Sequence, residues 1–385
     1  MYTRRASPPE HSFFLFGPWS TGKSTWLRHW LPEAAWFDLL RSDVYLPLLR
    51  DPASLRRRLL ALPAQSDVVI DEVQRLPLLL SEVHAIIAEG RDDLRFALSG
   101  SSARKLRRRD VDLFAGRVFE RHFFPMTVAE LAGEVDVERL LAFGGLPQVC
   151  SEPHHAVDSL EAYVSTYLRQ EIQQEALVKD LGSFHRFLEV AVLMNGQVVN
   201  TARLARDAAV ARPTVQRFFD VLVDTLVGSW LPAYKVHLKV KQVRKSKFYF
   251  FDPGVVRAIL GLLRDPVEKA ERGVLLETVV LNELRAHIAY ARIGGELSFY
   301  RTPSGSEIDF IWSRAKRHVA FEVKSASTWR REWSKELKTA LFSGAVERAF
   351  GIYLGREVLA DGPVEVLPLD VFARRLDAGE VLGVS

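Results

Sequence analysis

A single cysteine, Cys150, stands among 385 residues. That scarcity excludes a disulfide framework and a cysteine-built zinc site, and it suits a reducing compartment. The ten histidines contain no HExxH spacing. Long apolar runs are missing as well: nothing approaches the roughly 18 uninterrupted apolar residues that a membrane span needs. The first apolar run, Phe13–Phe16, is far too short for the core of a signal peptide. The expectation is a soluble, cytoplasmic protein with no membrane partner. Neither sign of charge dominates. With 52 Lys and Arg against 48 Asp and Glu the net charge is only +4. A nucleic-acid partner is permitted but not demanded, and what matters is where the basic residues cluster. There is no internal repeat and no low-complexity tract.

What is present is globular material, 48% hydrophobic and 26% charged, with ample chain for a packed core. At roughly 100–200 residues per domain the length suggests two to four domains. The first third alternates short apolar runs, at Phe13–Phe16, Ala35–Leu39, Val68–Asp71 and Arg95–Ser99, with amphipathic stretches. That alternation predicts a parallel sheet wrapped by helices. Beyond Pro125 the strands stop. Residues from Leu131 to about Leu181 read as helical, with a break at Gly144-Gly145-Leu146-Pro147. Helical patterns over Phe187–Met194, Thr201–Ala209 and Pro213–Val227 follow, then a strand-like, lysine-rich stretch over Ser229–Phe251. The last block predicts a helix with Glu277, strands at Leu297–Arg301, Glu307–Trp312 and Val319–Lys324, a charged helix, and a strand near Ala349–Leu354.

Gly17-Pro18-Trp19-Ser20-Thr21-Gly22-Lys23-Ser24 matches GxxxxGK[ST] in full, with Thr25 behind it. It follows an apolar strand and precedes a helical stretch, the context such a phosphate-binding loop requires. The glycines let the backbone curl so that successive N–H groups face phosphate oxygens, and the following helix adds its positive N-terminal end. Lys23 neutralises the β- and γ-phosphates, and the Ser24 hydroxyl is a ligand for Mg²⁺. Val68-Val69-Ile70-Asp71-Glu72 is an apolar strand ending in two carboxylates, as in a Walker B motif. Asp71 would hold the Mg²⁺ shell and Glu72 would orient the attacking water. Such catalysis is positioning and charge stabilisation, so one acid for the metal and one for the water form the minimum set. The expected cofactors are ATP and Mg²⁺. The strand Arg95–Ser99 runs into Ser99-Gly100-Ser101-Ser102, where Ser99 or Ser101 would suit a γ-phosphate sensor; a plain Ser/Gly turn is the alternative. Arg117, in Phe114-Ala-Gly-Arg117, is a candidate arginine finger, which would imply a homo-oligomer; a surface arginine is the alternative.

The chain at this point resembles the AAA-type ATPases of bacteria and archaea in which an N-terminal ATPase is fused to a C-terminal domain of unknown function. The resemblance is carried by Leu15–Thr25, Asp67–Gln74, Leu98–Ser102, Phe114–Arg117, Gly144–Pro147 and Phe250-Phe-Asp-Pro-Gly254, stretches spread over most of the chain. It implies ATP rather than GTP, and no guanine-reading NKxD motif is present.

Leu204–Arg217 reads as helix, tight turn, helix, with Pro213 in the first turn of the second helix, where a missing N–H is no loss. Val215, Phe218, Phe219, Leu222 and Leu226 recur at helical spacing as a buried face. Arg212, Thr214, Gln216 and Arg217 are left at the exposed side, residue types that grip DNA from a recognition helix. A basic hairpin follows, in which Lys239, Lys241, Lys245 and Lys247 would lie against phosphates as a wing. The alternative is a packing module whose lysines are a solvated edge. A second basic run, Arg104–Arg109, is a candidate contact to DNA or to a neighbouring subunit; a solvated run is the alternative.

Glu307-Ile-Asp309-Phe-Ile-Trp312 and Phe321-Glu322-Val-Lys324 make a last constellation. Asp309 and Glu322 are 13 residues apart, which fits a two-strand hairpin, and alternation puts Glu322 and Lys324 on one face. This resembles the D…ExK arrangement of the restriction-endonuclease-like, or PD-(D/E)XK, fold. There Asp309, Glu322 and the helical Glu277 would hold Mg²⁺, and Lys324 would orient water or steady charge on phosphate. Trp329, Arg330, Arg331, Trp333 and Lys335 interleave aromatic and basic residues, suiting a nucleic-acid surface or an amphipathic helix at a domain edge.

The fold expected is α/β: a P-loop AAA core over 1–124, a helical lid over 125–182, a winged helix over 183–264 and a restriction-endonuclease-like domain over 265–385. The function expected is ATP hydrolysis coupled to DNA binding, processing or remodelling, with Mg²⁺-dependent cleavage in the last domain. The alternative is a nucleotide-dependent regulatory protein whose nuclease-like domain does not cut.

Overall fold

The computed structural model describes residues 2–101, 118–131, 136–168, 180–234 and 245–383. Its contacts gather into two units. One is Thr3–Phe124 with Asp224–Leu226; the other is Pro125–Val223 and Val227–Ser385, with the first two residues of the chain. The boundaries expected at 182 and 264 fall inside the second unit.

The first unit is a five-stranded parallel sheet. Its strands are β1 (Phe13–Phe16), β2 (Ala35–Asp38), β3 (Asp67–Asp71), β4 (Arg95–Gly100) and β5 (Phe119–His122), in the order β2-β3-β4-β1-β5. β1 is buried at every residue, as a parallel strand covered on both faces must be. The helix Leu79–Ala88 buries Leu79, Leu80, Val83, Ile86 and Ile87, a stripe at helical spacing. It joins Phe14, Phe16, Val68, Ile70, Phe96 and Leu98 in one core. The sequence reading missed β5. Phe-Glu-Arg-His is polar at three of its four residues and more exposed than its neighbours because it is the edge strand, and its pairing with β1 has no local signal.

The second unit begins with short helices, Val137–Phe143, Pro147–Ser151 and Ala156–Ala162. Helices Leu181–Val192, Thr201–Asp207 and Arg212–Asp224 follow. They pack on a small antiparallel sheet of β6 (Gln197–Val198), β7 (Gly228–Leu231) and β8 (Lys247–Phe250), in the order β6-β8-β7. An aromatic cluster closes this region: Phe187 meets Phe218 and Phe219, and Phe219 meets Trp230 and Phe248 with ring centroids 4.7–5.2 Å apart in tilted and edge-to-face geometries, the latter an arrangement that rings favour.

The remainder is a six-stranded mixed sheet. β9 (Glu296–Arg301), β10 (Glu307–Arg314) and β11 (Arg317–Lys324) form an antiparallel meander, and β12 (Arg348–Tyr353), β13 (Leu359–Asp361) and β14 (Val364–Pro368) complete the order β13-β14-β12-β11-β10-β9. The long helix Lys269–Tyr290 opens on a capping box between Glu268 and Glu271, a sequence-local signal for its start. The Asp309–Glu322 hairpin has Phe310 opposite Phe321. Trp329 and Trp333 pack edge-to-face at 5.4 Å, and Trp329 donates to Ser334 Oγ at 3.1 Å. This local packing leaves Trp329 half-buried.

Candidate functional site

In the first unit β1 runs directly into the phosphate-loop sequence. Gly17 has no room for a side chain, since a Cβ there would lie 2.6 Å from the Phe123 carbonyl oxygen. Gly22 has φ +88° and sits at the N-cap of the helix Lys23–Trp30, so the helix starts with its N–H groups toward the loop. Thr21 Oγ1 donates to the Pro18 carbonyl at 2.8 Å. Lys23 is buried, and its ammonium donates to the carbonyls of Gly17 (2.8 Å) and Pro18 (3.0 Å). Trp19, Ser20 and Ser24 are half-buried and Thr25 is exposed. Trp26 fixes the helix from behind, its Nε1 donating to Ala6 at 3.2 Å while its ring packs on Phe13 and Phe123.

β3 places Asp71 and Glu72 at its carboxyl end, both buried. Ser99, at the end of β4, donates to Asp71 Oδ1 and accepts the Glu72 N–H at 3.3 Å. Glu72 has φ 59°, a conformation costly for a non-glycine residue by about 1–3 kcal/mol. Burial pushes its carboxyl above the usual range; Lys23 opposes that and Asp71 adds to it. Gln74 was not singled out in the sequence, yet its Nε2 donates to Glu72 Oε2 at 2.5 Å and to Ser101 Oγ at 2.8 Å. Ser101 therefore meets Glu72 through an amide, and Gln74 Oε1 stays buried without a partner. The one available signal was its position two residues beyond the acid pair. The Ser24 hydroxyl and Asp71 carboxylate are hard oxygen donors, chemistry that suits Mg²⁺. Arg117 and the run Arg104–Arg109 lie outside the described residues.

The second unit holds another charged site. Glu277, Asp309, Glu322 and Lys324 line one open cavity of about 890 Å³. β10 brings Asp309 beside β11, where its Oδ2 accepts the Val323 N–H at 2.8 Å. Lys324 pairs with Glu322 Oε1, and Glu322 Oε2 is buried with no hydrogen-bond partner. Burial pushes all three carboxyls up. Glu277 is raised to about 7, with Asp309 adding to the effect; Glu322 is raised well above its ordinary range and Asp309 is raised despite the nearby lysines. Burial lowers Lys324, but Asp309 and Glu322 outweigh it and its pKa rises.

Lys247 corrects the sequence reading. It was expected on an exposed wing against DNA phosphates, yet its side chain is only 3% exposed. β8 turns it into the acidic cavity, where its ammonium lies 2.6 Å from Glu307 and 3.9 Å from Glu277. Burial disfavours its charge, but Glu277, Asp309 and Glu307 outweigh that and raise its pKa. Tyr249, two residues on and on the same face of the strand, donates its hydroxyl to Glu277 at 2.6 Å. A lysine at the head of an otherwise aromatic strand was the signal for this inward turn. It read as part of a basic cluster because the lysines before it in sequence are so dense. Of the other expected DNA contacts, Arg212, Gln216, Arg217 and Lys245 are exposed and Thr214 is half-buried. Gln216 donates to Asp220 at 3.2 Å. Lys239 and Lys241 lie outside the described residues.

The acids and the orphaned Glu322 oxygen are a donor set that suits a divalent cation. Among the described residues, no group of three His, Cys, Asp or Glu side chains stands arranged to hold one. Lys247 and Lys324 take up carboxylate oxygens that an ion would need.

Comparison with known proteins divides the chain in three. Residues 10–132 match the family model described as AAA domain, residues 134–265 a domain of unknown function (DUF8612), and residues 272–372 a second domain of unknown function (DUF4143). Two uncharacterized proteins, one of Mycobacterium bovis and one of Mycobacterium tuberculosis, are each 28% identical over 391 residues, covering 99% of this chain and 85% of theirs. Among solved structures, a RuvB variant of Thermotoga maritima aligns at 17% identity and TM-score 0.32, covering 58% of this chain and 82% of its own. The ORC2 protein of Aeropyrum pernix, in ADPNP-ADP complexes, aligns at 12% identity and TM-score 0.29, covering 67% and 90%. These two likenesses are too slight to carry weight. Among the described residues no helix is long and apolar enough to cross a membrane. The AAA match spans the strand, loop and helix around Lys23 and the carboxylates Asp71 and Glu72, and it supports a nucleotide-binding ATPase in this part of the chain.

Proposed function

We propose that the chain hydrolyses ATP with Mg²⁺ in its AAA domain and uses the nucleotide state to control a DNA-engaging second unit, which cleaves phosphodiesters at the Glu277 cavity. In the first site Lys23 would neutralise phosphate charge, which competes for the ammonium now held by the Gly17 and Pro18 carbonyls. Ser24 and Asp71 would hold Mg²⁺. Glu72, steadied by Gln74, would orient the water. A raised Glu72 carboxyl suits a group that takes a proton as water attacks. The helices Leu181–Val192, Thr201–Asp207 and Arg212–Asp224 with β6–β8 follow the order of a winged helix, and Arg212 and Arg217 are its outward charges.

The observation that carries the cleavage reading is the meeting of Glu277, Asp309, Glu322 and Lys324 on one cavity from a helix and two strands. The fold brings Glu277, from a helix, to the hairpin that carries Asp309, Glu322 and Lys324. Glu277, Asp309 and Glu322 would hold the divalent cation, which supplies Lewis-acid activation of phosphate and water. Lys324 would steady charge developing on phosphate. The test is cleavage of single-stranded, duplex and branched DNA with Mg²⁺ or Mn²⁺, with and without ATP. Wild type should cut and Glu322→Gln should not; an uncut substrate under all conditions overturns the reading. A second reading, a nucleotide switch whose last domain binds without cutting, draws on the lysine pairing of the same acids.

A further inference from the structure

We infer that Gln74 couples Ser101 to Glu72, so that contact of the γ-phosphate with Ser101 sets the Glu72 carboxylate in place for the attacking water. The inference rests on the ATP-hydrolysis reading above. It adds a positioning residue and the choice of Ser101 over Ser99 as the phosphate sensor. In the step it serves, the water oxygen bonds to the γ-phosphorus and the bond from that phosphorus to the β,γ-bridging oxygen breaks. The bridging oxygen keeps the electron pair, and Glu72 takes the water proton.

The end of β4 decides between the two serines. Ser99 is turned toward β3: its hydroxyl spends its one proton on Asp71 Oδ1 and accepts the Glu72 N–H. Gly100 follows, paired with Phe16, and its carbonyl accepts the Gly17 N–H at 3.3 Å. That tie puts Ser101 one residue from a direct bond to the start of the phosphate loop. Ser101 Oγ accepts from Gln74 Nε2 at 2.8 Å, which directs its own proton away from Gln74. The same nitrogen donates to Glu72 Oε2 at 2.5 Å. Two hydrogens on one nitrogen thus hold the sensor and the water-orienting acid together. The backbone at Glu72 is held at φ 59°, so the side-chain torsions are the freedom that the amide removes. Packing alone does not account for Gln74. It is 6% exposed, and its Oε1 has no hydrogen-bond partner among the described residues. Burying an amide with one end unmet is costly. An apolar side chain would fill the place without that cost, as its buried neighbour Val73 does in the same short turn. The two bonds made by Nε2 are what the burial secures.

The experiment measures steady-state ATP hydrolysis and ATP binding by the full-length protein with Mg²⁺, in wild type, Gln74→Met, Ser101→Ala and the double variant. Met conserves the volume of Gln and removes its hydrogen bonds. Each single variant should lower kcat by about 10- to 100-fold and leave the Kd for ATP within about twofold, because the phosphate loop is untouched. The double variant should lose no more than the worse single one, since both changes cut the same link. In a Glu72→Gln background, Gln74→Met should cost nothing further. Thermal melts of every variant identify any that fails to fold, and Ser101→Ala then carries the test alone. A wild-type kcat in Gln74→Met or Ser101→Ala, or single losses that multiply in the double variant, overturns the inference and leaves the ATPase reading standing. A wild-type protein that does not hydrolyse ATP, or Glu72→Gln hydrolysing it at the wild-type rate, overturns both.

Discussion

Glu72 combines a left-handed backbone, near-complete burial and a raised carboxyl pKa. Each is unfavourable alone, and together they mark a residue held for chemistry rather than stability. Glu72→Gln should bind ATP as wild type does and lose turnover by about 100-fold or more, measured as ATP hydrolysis beside a nucleotide-binding isotherm; hydrolysis at the wild-type rate would remove Glu72 from the water-orienting role. Asp252 gives a pH prediction. Its carboxyl is pushed to about 6 from 3.8 by burial, although the N–H groups of Gly145 and Val255 hold it down. A carboxyl with a raised folded pKa contributes stability that is complete below its unfolded pKa and is lost as pH rises through the folded one. The stability of wild type relative to Asp252→Asn should therefore fall between pH 4 and pH 7 by on the order of 2–3 kcal/mol. Urea unfolding of both proteins at the two pH values measures it, and a pH-independent difference would show that Asp252 does not titrate in this window.

Two motifs with no chemistry of their own become legible once elements are considered in pairs. Gly144-Gly145-Leu146-Pro147 ends the helix Val137–Phe143, and Phe250-Phe-Asp252-Pro-Gly254 caps the helix Pro253–Ile259. They meet: Asp252 Oδ2 accepts the Gly145 N–H at 2.8 Å while Oδ1 accepts the Val255 N–H at 3.1 Å. A Cβ on Gly254 would lie 2.1 Å from the Phe143 carbonyl oxygen. Gly254→Ala should thus cost about 1–3 kcal/mol through overpacking against backbone, read as a lowered melting temperature; an unchanged melt would mean that these helices slide apart freely. The helix Arg212–Asp224 is the second element with a measurable consequence. Replacing Arg212 and Arg217 together by Ala should reduce duplex-DNA affinity and shrink the slope of log K against log salt by up to about 0.9 per lost phosphate contact. A slope and affinity equal to wild type would favour a packing module.

For the chain as a whole, the prediction concerns coupling. If nucleotide state controls DNA engagement, DNA must in turn change the handling of nucleotide, because linkage is reciprocal for binding. ATP affinity should differ with and without DNA, and Lys23→Ala should abolish both ATP binding and any ATP dependence of DNA affinity. Titrating each ligand at fixed concentrations of the other measures this; identical affinities in both directions would leave an ATPase and a DNA-binding unit that merely share a chain.

The phosphate loop, its strand and helix, and the Asp71-Glu72 pair were legible from the residues alone, because that site is made of neighbours in sequence: strand, turn and helix follow one another, and each residue type answers a local demand of phosphate or backbone. The hairpin that joins Asp309 to Glu322 was legible for the same reason, through alternation over two adjacent strands. The edge strand β5 was not, since Phe119–His122 pairs with Phe13–Phe16 across a long stretch of chain and its exposed face dilutes the apolar pattern. Gln74 beside Ser101 likewise depends on β3 and β4 lying side by side. Lys247 shows the limit most plainly. In sequence it belongs to a run of lysines, and a basic run reads as a solvated or phosphate-facing surface. Only the tertiary structure decides that β8 turns this one side chain inward, because the half-buried carboxylates that compensate its charge come from a helix and a strand 30 to 60 residues away.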